Sequence, residues 1–261
     1  MMATPAAVRV WESELALYRR VWKSNVLGSF VQPMLYLLGM GIGVGSLVDE
    51  RAGSAAQLGD VSYVAFFAPS ILAVTTMMIC AQDSLWPVMD GFMWSNHYRA
   101  ISATPLRPAD IVSGLTLWHA TRSAIAATGV AAALLLLDDT RSWGLIPAVA
   151  FAVLNGLAFT LPIAAWSSTR TSDISFPAII RFGIIPMFLF AGAFYPVDQL
   201  PAWLRPLAYV TPIYHGVELC RGAVLGTLGA LDSLGHLAAL GAFVLGGSLM
   251  CRRSFHRRLA T

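Results

Sequence analysis

The side chains able to do covalent or proton chemistry are few and scattered: five histidines, three cysteines and 14 carboxylates among 261 residues. A serine hydrolase inside a membrane needs a serine, a histidine to take its proton and an oxyanion hole, all close together. Ser248, after Gly247, with His119, His215 or His236 is all that is offered. Ser248 falls at the opposite end of its apolar run from His236, and a serine there suits helix packing better. Cys80, Cys220 and Cys251 lie in or beside separate apolar segments with no C-x-x-C spacing. That spacing indicates neither a disulfide framework nor a zinc site, so buried thiols are expected. The run "GMGIGVG", Gly39 to Gly45, invites comparison with a phosphate-binding loop, but no G-x-x-x-x-G-K-[ST] occurs in the chain. The spacing of Gly39/Gly43 and Gly41/Gly45 instead permits close approach of helices in lipid. No cofactor and no metal is expected on this chain.

Proton-coupled transport would place carboxylates near the middle of a bilayer. Asp49, Glu50, Asp60, Asp138, Asp139, Asp198 and Asp232 fall in loops instead. Glu218 stands apart, three residues before Arg221 and near His215, where a local ion pair is expected. With neither an energy source nor a catalyst in evident view, another chain is expected to supply the work.

The composition explains why. At 57% hydrophobic and 12% charged, with a mean hydropathy of +0.66, the chain is a membrane protein. Runs at about 26–48, 61–82, 111–137, 144–167, 176–196 and 233–251 are each long enough to cross ~30 Å of hydrocarbon as a helix. The fold expected is an all-α polytopic membrane protein of six transmembrane helices, with Pro33 and Pro69 as kink candidates. His119 and Arg122 weaken the third run, Arg181 the fifth and His236 the sixth. Of the 17 Lys+Arg, eleven fall on the side that carries both termini and the stretch "SATPLRPADI", Ser102 to Ile111, and four on the other. The inside-positive bias then puts both termini in the cytoplasm. Lys23 is the one lysine, which points to a GC-rich bacterial genome and a bacterial plasma membrane. The basic residues form no single stripe, so no nucleic-acid face is expected.

Two further elements follow from patterning. Val8, Trp11, Leu15, Tyr18 and Trp22 recur at helical spacing, so residues 8–24 are expected to form an amphipathic helix lying along the inner membrane surface. The charged segment before the first apolar run is too long for a signal-peptide n-region, so the first span is expected in the mature chain. The outer segment 195–222 holds Tyr195, Pro196, Pro201, Trp203, Pro212, Glu218 and Arg221. Thr211-Pro212 reads as an N-cap with proline at the first helical position, and the segment as a re-entrant helical hairpin between spans five and six.

"AISATPLRPADIVSGLTLW", Ala100 to Trp118, and "GAFYPVDQLPAWLRPLAYVTPIYHGVELCRG", Gly192 to Gly222, resemble the membrane subunits of type-2 ABC exporters, most closely the nodulation-factor and daunorubicin-resistance branch. The resemblance covers essentially the whole chain. It implies that residues 97–110 are a cytoplasmic coupling helix seated in a cleft of a separate nucleotide-binding ATPase subunit, present in two copies. Arg99, Thr104, Pro105, Leu106, Arg107 and Asp110 would dock it, with ATP and Mg bound on that partner. It also implies a second permease copy or paralogue, the first and fifth spans meeting across the dimer, with Gly39, Gly41, Gly43 and Gly45 at the seam. Tyr36, Met40, Phe182, Met187 and Phe190 are candidates for the path, and the outer hairpin for its gate. The substrate implied is amphipathic: a lipid-linked saccharide, a glycolipid or a hydrophobic drug. Where the family often has an acid after a glycine, this chain has Leu115 after Gly114. An ATP-independent membrane scaffold or assembly factor is the alternative function.

Overall fold

The computed structural model describes residues 5–50, 58 and 61–260, and among them most residues are helical and none forms a strand. Helix α1, Ala6–Tyr36, passes through a π-helical stretch, Leu37–Val44, into α2, Gly45–Asp49. Then come α3, Tyr63–Phe67; α4, Ser70–Met93; α5, His97–Ser102; and α6, Pro108–Leu134. Helix α7 is Leu145–Ser167, α8 is Phe176–Ile179, and a π-helical turn at Ile180–Ile184 joins α8 to α9, Ile185–Phe190. The chain closes with α10, Arg205–Val210; α11, Pro212–Leu225; and α12, Ala230–Leu259.

Helix α7 is the hub. It is apolar all round and packs against α4, α6, α11 and α12. A helix without a polar face must be covered on every side. Its one amide, Asn155, is fully buried and donates to the Ala73 carbonyl of α4 at 2.9 Å. Gly156 brings α4 and α6 close, since a Cβ there would lie 2.7 Å from Ser123 Oγ and 2.9 Å from Cys80 Sγ. Phe67, Ile71, Leu72, Met77, Leu134, Phe159 and Ile213 fill the core around it. Cys80, Cys220 and Cys251 are free and buried in this packing.

Among the described residues, four helical segments are long and apolar enough to cross a membrane: Phe30–Asp49, Tyr63–Met93, Leu145–Ser167 and Ala230–Leu259. The other two expected spans differ. Helix α6 has the length, but it carries Asp110, His119 and Arg122 and is less apolar. The fifth, expected over 176–196, is helical only to Phe190, about 22 Å at 1.5 Å per residue. Gly192, at φ +79°, turns the chain there. The second run breaks at Pro69 as expected but continues to Met93, eleven residues past the expected end, because Asp83 and Asp90 find places on the helix.

The amphipathic segment is not a separate element. Helix α1 is continuous through residue 24, since neither glycine nor proline interrupts it before Gly28. Its stripe covers α6 rather than turning wholly outward: Trp11 Nε1 donates to Thr121 Oγ1 at 3.0 Å, and the Tyr18 and Trp118 rings lie 5.3 Å apart. Val10 seats on Gly114, where a Cβ would stand 2.7 Å from the Ala7 carbonyl oxygen, while Trp22 stays exposed. Helices α1 and α6 therefore run parallel. Their first residues lie at the end of the bundle where Phe255 of α12 packs on Phe92 and Tyr98. The start of α1, the end of α12 and the segment 97–110 share that end.

Candidate functional site

The end that carries residues 97–110 is built around Tyr98. Asn96 takes a left-handed turn, φ 51°, and starts α5, which plants the Tyr98 ring 4.8 Å from Phe92 and 5.4 Å from Phe255. Gly91 leaves the space for that ring. Burial first, and the Glu14 charge second, push the Tyr98 phenol well above its ordinary value, so it stays neutral. Leu115 sits in the same apolar cluster, which accounts for a leucine rather than an acid after Gly114.

From this anchor the segment is stiffened locally. Thr104 Oγ1 donates to the Ile101 carbonyl at 2.6 Å, and Pro105 to Arg107 turn the chain into α6. There the Asp110 carboxylate accepts the Arg107 backbone N–H at 2.9 Å, while Pro108 occupies the first helical turn. Asp110 thus caps the helix. Arg99, Thr104, Pro105 and Arg107 are exposed; Leu106 and Asp110 are half-buried. The expected coupling helix is six residues, His97–Ser102, and four of the docking candidates lie in the turn after it. A hollow of about 380 Å³ opens between that turn and Ala6 and Arg9 of α1. A second, of about 450 Å³, lies between Arg107 and Arg252, Arg253 and His256 of α12.

Above this end, a cleft opens between α1 and α4, with residues of α6 along its wall. Its lower part, about 510 Å³, is lined by Glu14, Tyr18, Asp90, His97, Trp118 and His119, among others. Its upper part, about 240 Å³, is lined by Gln32, Pro33, Tyr36, Thr75, Met78 and Gln82. Asn25, Asp83 and Arg122 line both. Arg122 Nε donates to Asp83 Oδ2 at 3.0 Å, and its guanidinium lies 4.7 Å over the Tyr18 ring. Asp83 had no part in the sequence-based site; the readable signal was a Gln82-Asp83 pair closing one apolar run with an arginine inside the next.

Of the path candidates, Tyr36 lines this cleft, 5.8 Å from the Phe188 ring. The others are elsewhere. Met40 and Met187 pack against the main core, Phe190 joins Val197, Leu200 and Ala208 in a separate cluster, and Phe182 is 82% exposed. The glycines divide too. Gly41 and Gly45 face Phe67 and Tyr63 of their own chain, whereas Gly39 has nothing within 4 Å and Gly43 meets just its own helix.

At the far end, α11 begins as expected, with Thr211 extended and Pro212 in the first turn. The Thr211 hydroxyl donates back to the Ala208 carbonyl at 2.7 Å rather than receiving a helix N–H. The helix runs to Leu225, where Gly226 at φ +70° ends it, beyond the expected stop at Gly222. Arg221, 7% exposed, donates to Glu218 Oε1 at 2.8 Å, Phe66 O at 3.0 Å, Ser70 Oγ at 2.9 Å and the Gly192 carbonyl. The expected Glu218–Arg221 pair forms, within a network that ties α11 to α3, α4 and the turn after α9. Tyr195 and Pro196 are half-buried, Pro212 is buried, and Pro201 and Trp203 are exposed. His215 Nδ1 and His236 Nδ1 lie 2.8 Å apart. Burial and the neighbouring His236 hold His215 below the usual imidazole range.

Among the described residues no group of three histidines, cysteines or carboxylates could hold a metal. The family model for the ABC-2 type transporter matches residues 7–225. The chain belongs to the ABC-2 type transporter family. Curated relatives include Nodulation protein J of Rhizobium leguminosarum bv. viciae, 28% identical over 220 residues, which span 83% of this chain and 81% of that one. Nodulation protein J of Rhizobium meliloti (strain 1021) is 27% identical over 223 residues, 84% of this chain and 81% of the relative. That of Azorhizobium caulinodans is 25% identical over 226 residues, 85% and 84% of the two chains. An ABC-2 permease is a membrane transport subunit and not itself catalytic.

Proposed function

We propose that this chain is the permease of an ABC exporter that moves an amphipathic substrate outward from the cytoplasm or inner leaflet, driven by a separate ATPase. Two copies of that subunit dock on residues 97–110, and a second permease, a copy or a paralogue, completes the pathway. The observation that carries this reading is the exposed, locally stiffened turn Thr104–Arg107. It joins α5 to α6 and is edged by the arginines of α1 and α12. A push there moves three long helices together. The guanidiniums suit carboxylates on a partner. The inside-positive count supports a cytoplasmic position for this end.

The test is to purify the tagged protein from native membranes in mild detergent and assay the eluate for ATPase activity. Arg107→Glu is expected to remove at least nine-tenths of that activity while leaving permease yield unchanged. A permease that elutes without an ATPase even after crosslinking would overturn the exporter reading in favour of an ATP-independent scaffold.

The division among the glycines gives a second expectation. Gly39→Leu and Gly43→Leu, on the open face, should shift the protein from dimer to monomer in light scattering with its unfolding temperature retained. Gly45→Leu, against Tyr63, should lower that temperature instead. Equal behaviour of both classes would remove Gly39 and Gly43 from the seam.

A further inference from the structure

Helix α12 has one buried face, which carries Leu240, Gly247, Cys251 and Phe255, and one exposed face. On the exposed face Leu234, Ala238, Ala242, Leu245 and Leu249 recur at steps of three and four, the pattern of a stripe turned to lipid. Leu231 begins it, so the stripe is about 27 Å long at 1.5 Å per residue, close to the thickness of the hydrocarbon. The same register then changes character: Arg252 and His256 continue it with Arg253 beside them, and all three are exposed. Attraction of cations to a helix C-terminus is confined to the last turn, which here holds His256, Arg257 and Arg258. It does not account for Arg252 and Arg253, which stand further back. Arg107, at the start of α6, shares with them a hollow of about 450 Å³. The wall of that hollow is mostly apolar, made of Pro108, Ala109 and the stems of the long side chains. Among the described residues Arg107, Arg252 and Arg253 form no ion pair, and Asp110, the acid nearest Arg107 in sequence, is engaged with the Arg107 backbone N–H.

We propose that this hollow holds the phosphodiester headgroup of an anionic phospholipid, whose acyl chains lie along the stripe at Leu245 and Leu249. Arg252 follows Leu249 by about 4.5 Å along the axis, so its guanidinium stands where hydrocarbon gives way to headgroups. Guanidinium forks match phosphate oxygens, and basic pockets between helices at a membrane surface hold acidic lipids. A zwitterionic headgroup would bring an ammonium among three guanidiniums with no carboxylate to receive it. A free phosphate would meet the same charges but would leave bare the apolar wall that a lipid's glycerol and first methylenes cover. An acidic protein surface would reach the guanidiniums but not continue along the leucines. The lipid would tie the start of α6 to the end of α12, next to the turn Thr104–Arg107. This site rests on α12 crossing the membrane and not on the exporter reading.

The full-length protein is placed in phosphatidylcholine nanodiscs that hold a minor share of phosphatidylglycerol with a diazirine on the first carbons of one acyl chain, and labelled residues are read by mass spectrometry. Label is expected within residues 245–256 and 108–113. Arg252→Gln combined with Arg253→Gln should lower it roughly tenfold or more, since each arginine near an acidic lipid contributes about a factor of five. Arg141→Gln, beyond the other end of α6, should leave it unchanged. In the unaltered protein, unlabelled phosphatidylglycerol should compete and phosphatidylethanolamine of the same chains should not, a comparison that does not depend on how the variants fold. Labelling unchanged in the double variant, or equal competition by phosphatidylethanolamine, overturns the site. Inorganic phosphate that removes the label as well as phosphatidylglycerol does would make it an ion site and overturn the lipid assignment. Loss of a co-purifying ATPase in the double variant with labelling unchanged would give the hollow to the partner subunit instead. If labelling behaves as expected but no ATPase co-purifies with the unaltered protein, the exporter reading alone fails.

Discussion

Arg221→Leu is expected to lower stability by about 3–5 kcal/mol, the usual cost of removing one partner from a buried ionic network. Leucine replaces the apolar contact with Phe66, over whose ring the guanidinium lies at 3.7 Å, but none of the hydrogen bonds. The carbonyls of Phe66 and Gly192 lose a donor, and each buried acceptor left without one costs about 1–3 kcal/mol. In a chain of this size the loss corresponds to a fall in unfolding temperature on the order of 10 °C. Tryptophan fluorescence on heating in mild detergent would measure it. Glu218→Gln, at a partly exposed side chain that still offers an acceptor, should cost much less. Equal effects from the two would show that the Arg221 carbonyl contacts contribute nothing, and that α11 is held by other means.

Gly114→Leu is expected to detach the first part of α1 from α6. The obstacle is a backbone carbonyl, Ala7 O at 2.7 Å from the new Cβ, together with Val10, so no side-chain rotation relieves it. Overpacking of this kind costs about 1–3 kcal/mol. Because α1 packs mainly on α6, the cost falls on a single interface and favours local opening over global unfolding. Trypsin cleavage at Arg9, Arg19, Arg20 and Lys23 should then accelerate roughly tenfold or more, since every 1.4 kcal/mol is a factor of ten in the open population. Gly241→Leu, with nothing within 4 Å of its Cβ position, is the control and should leave cleavage unchanged. Unchanged cleavage in Gly114→Leu would mean that α1 is not held through this contact.

The sequence by itself determined that the chain is helical and belongs in a membrane, because hydropathy and the length of apolar runs are properties of composition and order alone. It also placed the Pro69 break, the Thr211-Pro212 helix start and the Glu218–Arg221 pair, each of which is set by residues a few positions apart. Its two stretches of family resemblance led to the ABC-2 type transporter. What the tertiary structure decided depends on separations no local pattern carries. Asp83 and Arg122 are 39 residues apart and meet because α7 draws α4 and α6 together. The amphipathic pattern of residues 8–24 shows that one face seeks apolar cover, but whether lipid or α6 supplies it depends on Gly114, a hundred residues away. The "GMGIGVG" run shows a helix able to pack closely. Which of its glycines face inward depends on where Tyr63 and Phe67 stand, and that is a matter of packing in three dimensions.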